Sequence, residues 1–455
     1  MPPVDPPADE LAATRAALRR FWGVGDFRGI QAEAIRAALA GTDVFVRMAT
    51  GGGKSACYQV PGLLRGGQTV VVSPLISLMH DQVAALVAKG LTACYLGGNQ
   101  AGGGWSAAEG GAQFVYVTPE MCASPRLRLL LHSCSLLAID EAHCVSEWGH
   151  SFRAAYTELH ELRGHLPPGT PVMALTATAT EETRRDVVRA LGLRPSHVDV
   201  TGTVDRTNLR YAVLRKPPGR SAYEVLSAEL RSALTPAAAG RAPCVLVYMP
   251  TTKEVDALIA ALLAGGASAA GYHAKLTPAT RAAAQAAFMQ GDCSVLVATV
   301  AFGMGIDKPD VRAVFNWGAQ ASLEAYYQQS GRAGRDGGAA ECVLWVGPAD
   351  WPRAAHLSVT GATHPERARR TLQALRDYTD SPRCRRVCLA AYFGEAVPAC
   401  GVCDTCAAAA APPRPRHDAT TLCGALLRAA RDCSGRFGLT VVLQLARGTV
   451  PTKLS

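Results

Sequence analysis

The stretch Met48-Ala49-Thr50-Gly51-Gly52-Gly53-Lys54-Ser55 constrains this chain more than any other. It follows the apolar run Val44-Phe45-Val46 and precedes Ala56-Cys57-Tyr58-Gln59, which can open a helix. Strand, Gly-rich turn and helix in that order make a phosphate-binding loop. The glycines let backbone N–H groups turn inward around phosphate oxygens, and the helix presents its positive end to the same anion. Lys54 would reach the β- and γ-phosphates, and Ser55 would hold Mg²⁺. Met48 stands where such loops commonly begin with glycine. A Gly-rich turn before Lys-Ser also arises by chance in a chain with 44 glycines, so a second site must support it.

That second site should lie at the carboxyl end of a neighbouring strand. The apolar run Leu136-Leu137-Ala138-Ile139 is followed at once by Asp140-Glu141-Ala142-His143. Asp140 would hold Mg²⁺ opposite Ser55, and Glu141 would orient or deprotonate the water attacking the γ-phosphate. A lone Asp-Glu after a strand is usually a solvated strand end; with the loop upstream, the two make one site. Downstream, Gln328-Gln329-Ser330-Gly331-Arg332-Ala333-Gly334-Arg335-Asp336 places Arg332 and Arg335 on one face of an expected helix. Their permanently charged guanidiniums suit a phosphoryl transition state. Read alone, they equally suit a basic surface stripe.

Apolar runs alternate with helical patterns from 41 to 200, at Val70-Val71-Val72, Phe114-Val115-Tyr116-Val117, Leu136–Ile139 and Val172-Met173-Ala174-Leu175. The alternation restarts at Val245–Tyr248, Val295–Ala298, Val311–Phe315 and Val343–Val346. Between them, Asp205, Asn208, Lys216, Pro217, Pro218 and Gly219 suit a linker near 202–220. The expected fold class is α/β, with two tandem parallel-sheet domains covered on both faces. Residues 9–22 read as an amphipathic helix, Gly102-Gly103-Gly104 and 236–241 as loops, and 407–417 as a second linker. The length of 455 residues, 49% hydrophobic and 18% charged, fits two to four soluble globular domains. The net charge of +9 permits a polyanionic partner without demanding one. No run of about 18 apolar residues is present, so no membrane span is expected. The opening Met1-Pro2-Pro3-Val4-Asp5-Pro6-Pro7 reads as a short disordered lead and not as a signal peptide. Most of the 15 cysteines sit singly in apolar runs, as Cys57, Cys244 and Cys342 do, which predicts buried thiols in a reducing compartment.

Taken in order, these motifs resemble the superfamily-two helicases, and among them the RecQ family of ATP-dependent DNA helicases, across nearly the whole chain. Phe27-Arg28-Gly29-Ile30-Gln31 resembles the family's adenine-reading segment, with Gly29 replacing a usual proline. The resemblance assigns Arg28, Gln31, Thr50, Gly51, Gly52, Gly53, Lys54 and Ser55 to ATP. Ser73-Pro74-Leu75 through Asp81-Gln82 and Tyr116-Val117-Thr118-Pro119-Glu120 resemble the segments that lie against the DNA backbone, with Ser73 assigned to DNA. Leu175-Thr176-Ala177-Thr178-Ala179 resembles the motif that links hydrolysis to movement. In Ala298-Thr299-Val300 through Asp307-Lys308-Pro309, Thr299 is assigned to DNA and Asp307 to nucleotide. Gln328, Arg332 and Arg335 fall in the motif that closes on the γ-phosphate. The implied architecture is an N-terminal lead and helix at 1–22, RecA-like domains at 23–205 and 206–352, a zinc-binding subdomain at 353–411 and a partial winged helix at 412–455.

Two features set this resemblance apart from RNA-directed relatives. Ser146-Glu147-Trp148-Gly149-His150-Ser151-Phe152-Arg153 resembles the family's aromatic-rich loop. Trp148, Phe152 and Arg153 combine stacking faces with a cation, which suits single-stranded DNA; read as a helix, Trp148 and Phe152 would instead be core. Glu147, Ser151 and Ala154 replace the usual Gln, Asp and Pro. Near the C-terminus, Cys384, Cys400, Cys403 and Cys406 have spacings able to close a tetrahedral zinc site. The C-x-x-C-x-x-C part alone also suits an iron–sulfur fragment. The RecQ pattern, Cys384-Arg385-Arg386 through Tyr392-Phe393-Gly394-Glu395 to the last three cysteines, implies a structural zinc that excludes Cys388.

The match thins after 418, where Gly435-Arg436-Phe437-Gly438 resembles the start of the winged helix, and the sequence ends at Ser455 before that domain's β-hairpin. Asn316 and Lys275 replace the usual His and Gly. The resemblance implies an ATPase that moves 3′-to-5′ on single-stranded DNA and unwinds duplex or branched DNA in recombination, repair and replication. Alternatives are a DNA-stimulated translocase or annealer that does not unwind, a non-catalytic DNA-binding module, and an RNA helicase. Val117–Glu120 and Asp307–Arg312 look closer to eukaryotic members, which favours the nucleus over a bacterial cytoplasm.

Overall fold

The computed structural model describes residues 8–23, 25–97, 103–145, 154–234, 243–302, 308–360, 362, 364–411, 418–433 and 438–449. They form two compact units, 1–407 and 408–455.

The larger unit holds two parallel sheets. The first contains β1 (Val44–Arg47), β2 (Gln68–Val72), β3 (Ala93–Leu96), β4 (Phe114–Val117), β5 (Cys134–Ile139), β6 (Val172–Thr176) and β7 (Val198–Thr201), ordered β3-β4-β2-β5-β6-β1-β7. The second contains β8 (Leu209–Arg215), β9 (Cys244–Tyr248), β10 (Ala269–Tyr272), β11 (Val295–Ala298), β12 (Val311–Trp317) and β13 (Ala340–Val346), ordered β10-β11-β9-β12-β13-β8. The central strands β2, β4, β6, β9 and β11 are buried at every position, because helices cover both faces. This is why they read in sequence as unbroken apolar runs.

The edges read differently. β3 alternates buried and half-buried residues, β10 is half-buried throughout, and β7 buries only Val200. None of the three has the Val- and Leu-rich run of the central strands: they read Ala93-Cys94-Tyr95-Leu96, Ala269-Ala270-Gly271-Tyr272 and Val198-Asp199-Val200-Thr201. The expected linker near 202–220 also contains a strand: Leu209–Arg215 forms the edge β8, paired in parallel with β13. Only the segment 202–208 crosses between the sheets. Residues expected to loop at Gly103-Gly104 instead begin the helix Gly103–Glu109. Residues 236–241 lie outside the described residues.

Asp43 anchors the start of β1. Its carboxylate is fully buried and accepts from Arg163 Nη2 (2.5 Å), Arg194 Nη2 (2.7 Å), Arg194 N (2.8 Å) and Val172 N (2.9 Å). One side chain thereby fixes β1 to β6 and to two connecting segments.

The helix after the Gly-rich loop, Lys54–Arg65, packs closely on β2. A Cβ on Gly62 would stand 2.1 Å from Thr69 Oγ1. A Gly62→Ala variant should therefore lose stability by about 1–3 kcal/mol through overpacking, despite alanine's better helix propensity. Denaturant titration would check this; a stabilised variant would show that the helix can shift off the sheet.

Beyond β13 come the helices Asp350–Val359, Pro365–Asp380, Arg385–Tyr392 and Asp404–Ala410. In the smaller unit, the helices Thr420–Asp432 and Leu439–Ala446 pack together. Gly435, Arg436 and Phe437 lie outside the described residues.

Candidate active site

The loop after β1 is held open by backbone geometry. Gly51 and Gly53 have φ of 82° and 85°, a region that side chains disfavour. Gly53 caps the helix Lys54–Arg65, whose first turn carries Lys54 and Ser55. A Cβ on Gly53 would stand 2.4 Å from Gln31 Nε2, and one on Gly52 would stand 2.6 Å from Met48 Cγ. Met48 thus fills the space beneath the loop, and Lys54 Nζ donates to its carbonyl at 3.4 Å. Gln31 is buried and donates to the carbonyls of Gly53 (3.0 Å) and Gly52 (3.3 Å), while accepting from Arg28 N (2.8 Å). Its observed work is to brace the loop, and Arg28 lines the cleft beside it.

Asp140 follows the last residue of β5, and its N–H donates to Val72 O. Burial pushes its carboxyl up to about 7, and the neighbouring Glu141 charge adds to the effect while Lys54 opposes it. A carboxylate so poorly solvated gains most from a nearby cation. Glu141 has φ of +48°, the single positive-φ residue other than glycine among those described. Strain of this kind gathers at functional sites. His143 Nδ1 lies 3.3 Å from Glu141 Oε2 and 3.0 Å from Thr176 Oγ1.

The second sheet reaches this site through Gln328, whose Nε2 meets Thr178 Oγ1 at 3.0 Å and His143 Nε2 at 3.3 Å. An amide nitrogen only donates, so His143 Nε2 accepts and the ring proton sits on Nδ1, facing Glu141 and Thr176. The helix carrying Gln328 ends at Ser330. Arg332 and Arg335 therefore lie on the turn that follows and not on a shared helix face, because Gly334 turns the chain at φ of +54°. A Cβ on Gly51 would sit 3.2 Å from Arg335 Cγ, so this turn stands directly against the Gly-rich loop. Arg332 is buried, and its Nε and Nη1 have no hydrogen-bond partner in the protein. A buried guanidinium in that condition is suited to an anion.

Between loop and turn lies a cleft of about 410 Å³, walled by Arg28, Thr50, Gly51, Arg206 and Arg335 among others. Arg206 has no motif signal in the sequence. Its guanidinium donates to Thr50 O (2.9 Å) on one side and to Ala333 O (3.0 Å) and Gly334 O (2.8 Å) on the other.

A buried polar chain extends behind the loop. Trp22 Nε1 donates to Gln59 Oε1 (3.1 Å), and Gln59 Nε2 donates to Gln82 Oε1 (2.8 Å) and Tyr116 OH (3.1 Å). Tyr116 OH meets Tyr58 OH at 3.3 Å, and Tyr58 in turn meets the Ser55 hydroxyl.

Of the residues expected at DNA, Ser73 is 1% exposed and Thr299 is 9% exposed. Both stand at carboxyl ends of central strands, but their side chains are closed off, and the exposed neighbours are Ile76 and Val300. Trp148, Phe152, Arg153 and Asp307 lie outside the described residues.

The sulfurs of Cys384, Cys400, Cys403 and Cys406 lie within 4.8 Å of one another, with Cys384–Cys400 at 3.5 Å and Cys384–Cys403 at 3.9 Å. Four thiolates about 2.3 Å from one tetrahedral zinc stand about 3.8 Å apart, so the set fits that ion with no open position. Cys388 is outside the group and contacts Ser381 instead.

Comparison with known proteins agrees with this geometry. Residues 28–187 match the family described as DEAD/DEAH box helicase, 224–337 the helicase conserved C-terminal domain, and 348–407 the RecQ zinc-binding domain. The chain is 38% identical to the ATP-dependent DNA helicase RecQ of Pasteurella multocida over 449 residues, covering 96% of this chain and 68% of that protein. The chain belongs to the RecQ family of ATP-dependent DNA helicases. A Bacillus subtilis RecQ is 36% identical, over 98% of this chain and 74% of that one, and the Xenopus laevis RecQ-like helicase BLM is 40% identical, over 83% and 28%. RecQ relatives thus come from bacteria and eukaryotes alike, so the two motif variants that favoured a nucleus assign no compartment. No helix among the described residues is long and apolar enough to cross a membrane. Among solved structures, Saccharomyces cerevisiae Dbp5 bound to RNA and ADP BeF3 aligns with a TM-score of 0.61 at 19% identity, covering 82% of this chain and 93% of that one. Mycobacterium smegmatis Lhr bound to single-stranded DNA and AMP-PNP aligns with a TM-score of 0.61 at 20% identity, covering 81% and 52%. At such identity these two share the RecQ core fold of paired RecA-like sheets and nothing finer.

Proposed function

We infer that this chain is a DNA-stimulated ATPase that moves 3′-to-5′ along one strand and separates duplex or branched DNA. The observation that carries this is the cleft between the sheets, with Met48–Gly52 of the Gly-rich loop on one wall and Gly334 and Arg335 on the other. Each sheet holds half of one site, so nucleotide turnover must change how the sheets meet. Arg28 and Gln31 would bound the adenine end of ATP, and the loop amides and Lys54 its phosphates. Ser55 and Asp140 would hold Mg²⁺, which neutralises phosphate charge when bound. Glu141 would take a proton from the attacking water, with His143 and Gln328 relaying its state to the second sheet. Arg332 and Arg335 would meet charge developing on the γ-phosphate. Single-stranded DNA would cross the strand ends near Ser73 and Thr299, gripped by Trp148, Phe152 and Arg153. RecQ membership supports a role in recombination, repair and replication.

ATP hydrolysis and unwinding of a forked duplex, measured side by side with and without single-stranded DNA, test this reading. Hydrolysis should rise with DNA and be accompanied by unwinding from a 3′ tail. Stimulated hydrolysis without unwinding would identify a translocase. Hydrolysis indifferent to DNA would refute the proposal.

A further inference from the structure

We propose that the zinc-binding module is a clasp on the segment joining the two sheets, and that Arg386 and Glu395 are positioning residues for the cleft. This rests on reading that cleft as the nucleotide site. The joining segment is held residue by residue. Glu395 accepts from the Thr203 hydroxyl and from Val204 N (2.8 Å). Asp205 is gripped by both prongs of the Arg386 guanidinium, Nε to Oδ1 at 2.6 Å and Nη2 to Oδ2. The pair is 11% and 14% exposed, so the contact is largely shielded from water. Val204 O accepts from Tyr327 OH (2.7 Å), and the Tyr327 ring packs 4.9 Å from Phe393. The next residue, Arg206, is the guanidinium that spans Thr50 and Gly334 across the cleft.

Thr203, Asp205 and Arg206 all line the cleft, whereas Arg386 and Glu395 do not. The module therefore acts on nucleotide through the joining segment and not by contact. Arg386 is placed for this by the metal site itself, two residues after Cys384 at the start of the helix Arg385–Tyr392. Arg47, at the end of β1, also donates to Phe393 O (2.8 Å), so the strand that feeds the phosphate loop is tied to the same module. With three tethers on three consecutive residues, the segment has little freedom, and Arg206 reaches both walls from a fixed base.

The test uses the full 455-residue chain carrying Arg386→Ala or Glu395→Gln, with exposed Arg383→Ala as the control. The readouts are zinc content, Kd for a fluorescent ATP analogue, and KM and kcat for ATP. Arg386→Ala should keep its zinc and weaken nucleotide Kd and KM about tenfold. Its kcat should fall much less, and Arg383→Ala should match wild type. Combining Asp205→Arg with Arg386→Asp should recover part of the loss. A wild-type Kd in zinc-loaded Arg386→Ala overturns the proposal. If the alanine variant does not fold, a wild-type Kd in Arg386→Lys, which keeps the charge but lacks the fork, overturns it equally. A wild-type chain that binds no nucleotide overturns the reading of the cleft, and this proposal with it.

Discussion

A Glu141→Gln variant should bind ATP with near wild-type affinity and hydrolyse it about 10²–10⁴-fold more slowly, the range for loss of a positioned general base. The substitution keeps size and one hydrogen-bond acceptor but removes the basic oxygen. Affinity should survive because the loop amides, Lys54 and the arginines are untouched. The backbone at this position supplies a control. Glu141 sits at φ of +48°, a conformation that costs a non-glycine residue about 1–2 kcal/mol. Glu141→Gly relieves that cost while deleting the carboxylate. If the carboxylate does the chemistry, the glycine variant is at least as slow as glutamine, though more relaxed. A Gln variant that retains more than a tenth of wild-type turnover would show that some other group activates the water.

The second large effect concerns stability. Asp43→Ala should destabilise the first sheet by about 3–5 kcal/mol, because it strands two guanidiniums and two backbone N–H groups that share one buried carboxylate. The first unfolding transition should fall by roughly 10 °C. Burial alone would raise the Asp43 carboxyl, but hydrogen bonds from the Arg194 side chain and backbone outweigh it and hold the group below its ordinary value. A carboxyl depressed in the folded state adds stability above its unfolded pKa of about 3.9 and loses that contribution as pH falls through the folded value. The gap between wild type and Asp43→Ala, followed by thermal unfolding, should therefore be full at pH 6 and shrink toward pH 3. A gap constant down to pH 3 would mean that lost packing, and not the ion pairs, causes the damage.

What was legible in the sequence follows from range. The phosphate loop is local: Gly51, Gly53, Lys54 and Ser55 are consecutive or nearly so, and their chemistry shows in their order. The central strands are equally local, since burial on two faces leaves an apolar run such as Val70-Val71-Val72. Edge strands escaped because their runs are short or poor in branched residues; in Leu209–Arg215 the run Tyr211-Ala212-Val213-Leu214 is bracketed by exposed Arg210 and Arg215 and followed by Lys216-Pro217-Pro218-Gly219, so it passed for linker. Arg332 and Arg335 had helical spacing, but the helix stops at Ser330 and the left-handed Gly334 then turns the chain between them. Arg206 gave no signal at all, and Arg386 and Glu395 showed only as members of the zinc pattern, with nothing to name their partners. Their partners lie more than a hundred residues away, and no spacing rule links Arg386 to Asp205. The cysteine cluster lies between these cases, being readable as metal ligands by spacing and as zinc only through resemblance.

The buried Gln59 amide has a consequence for how lineages of this protein can vary. Trp22 can only donate, so Gln59 must present its oxygen there and both amide hydrogens to Gln82 and Tyr116. Both amide hydrogens and one lone pair of the oxygen are spoken for, and neither flipping the amide nor replacing it with glutamate or leucine satisfies all three neighbours. No single substitution is then a small step. Positions 22, 59, 82 and 116 should be inherited as a block, with descendants that change one of them changing a second in the same branch.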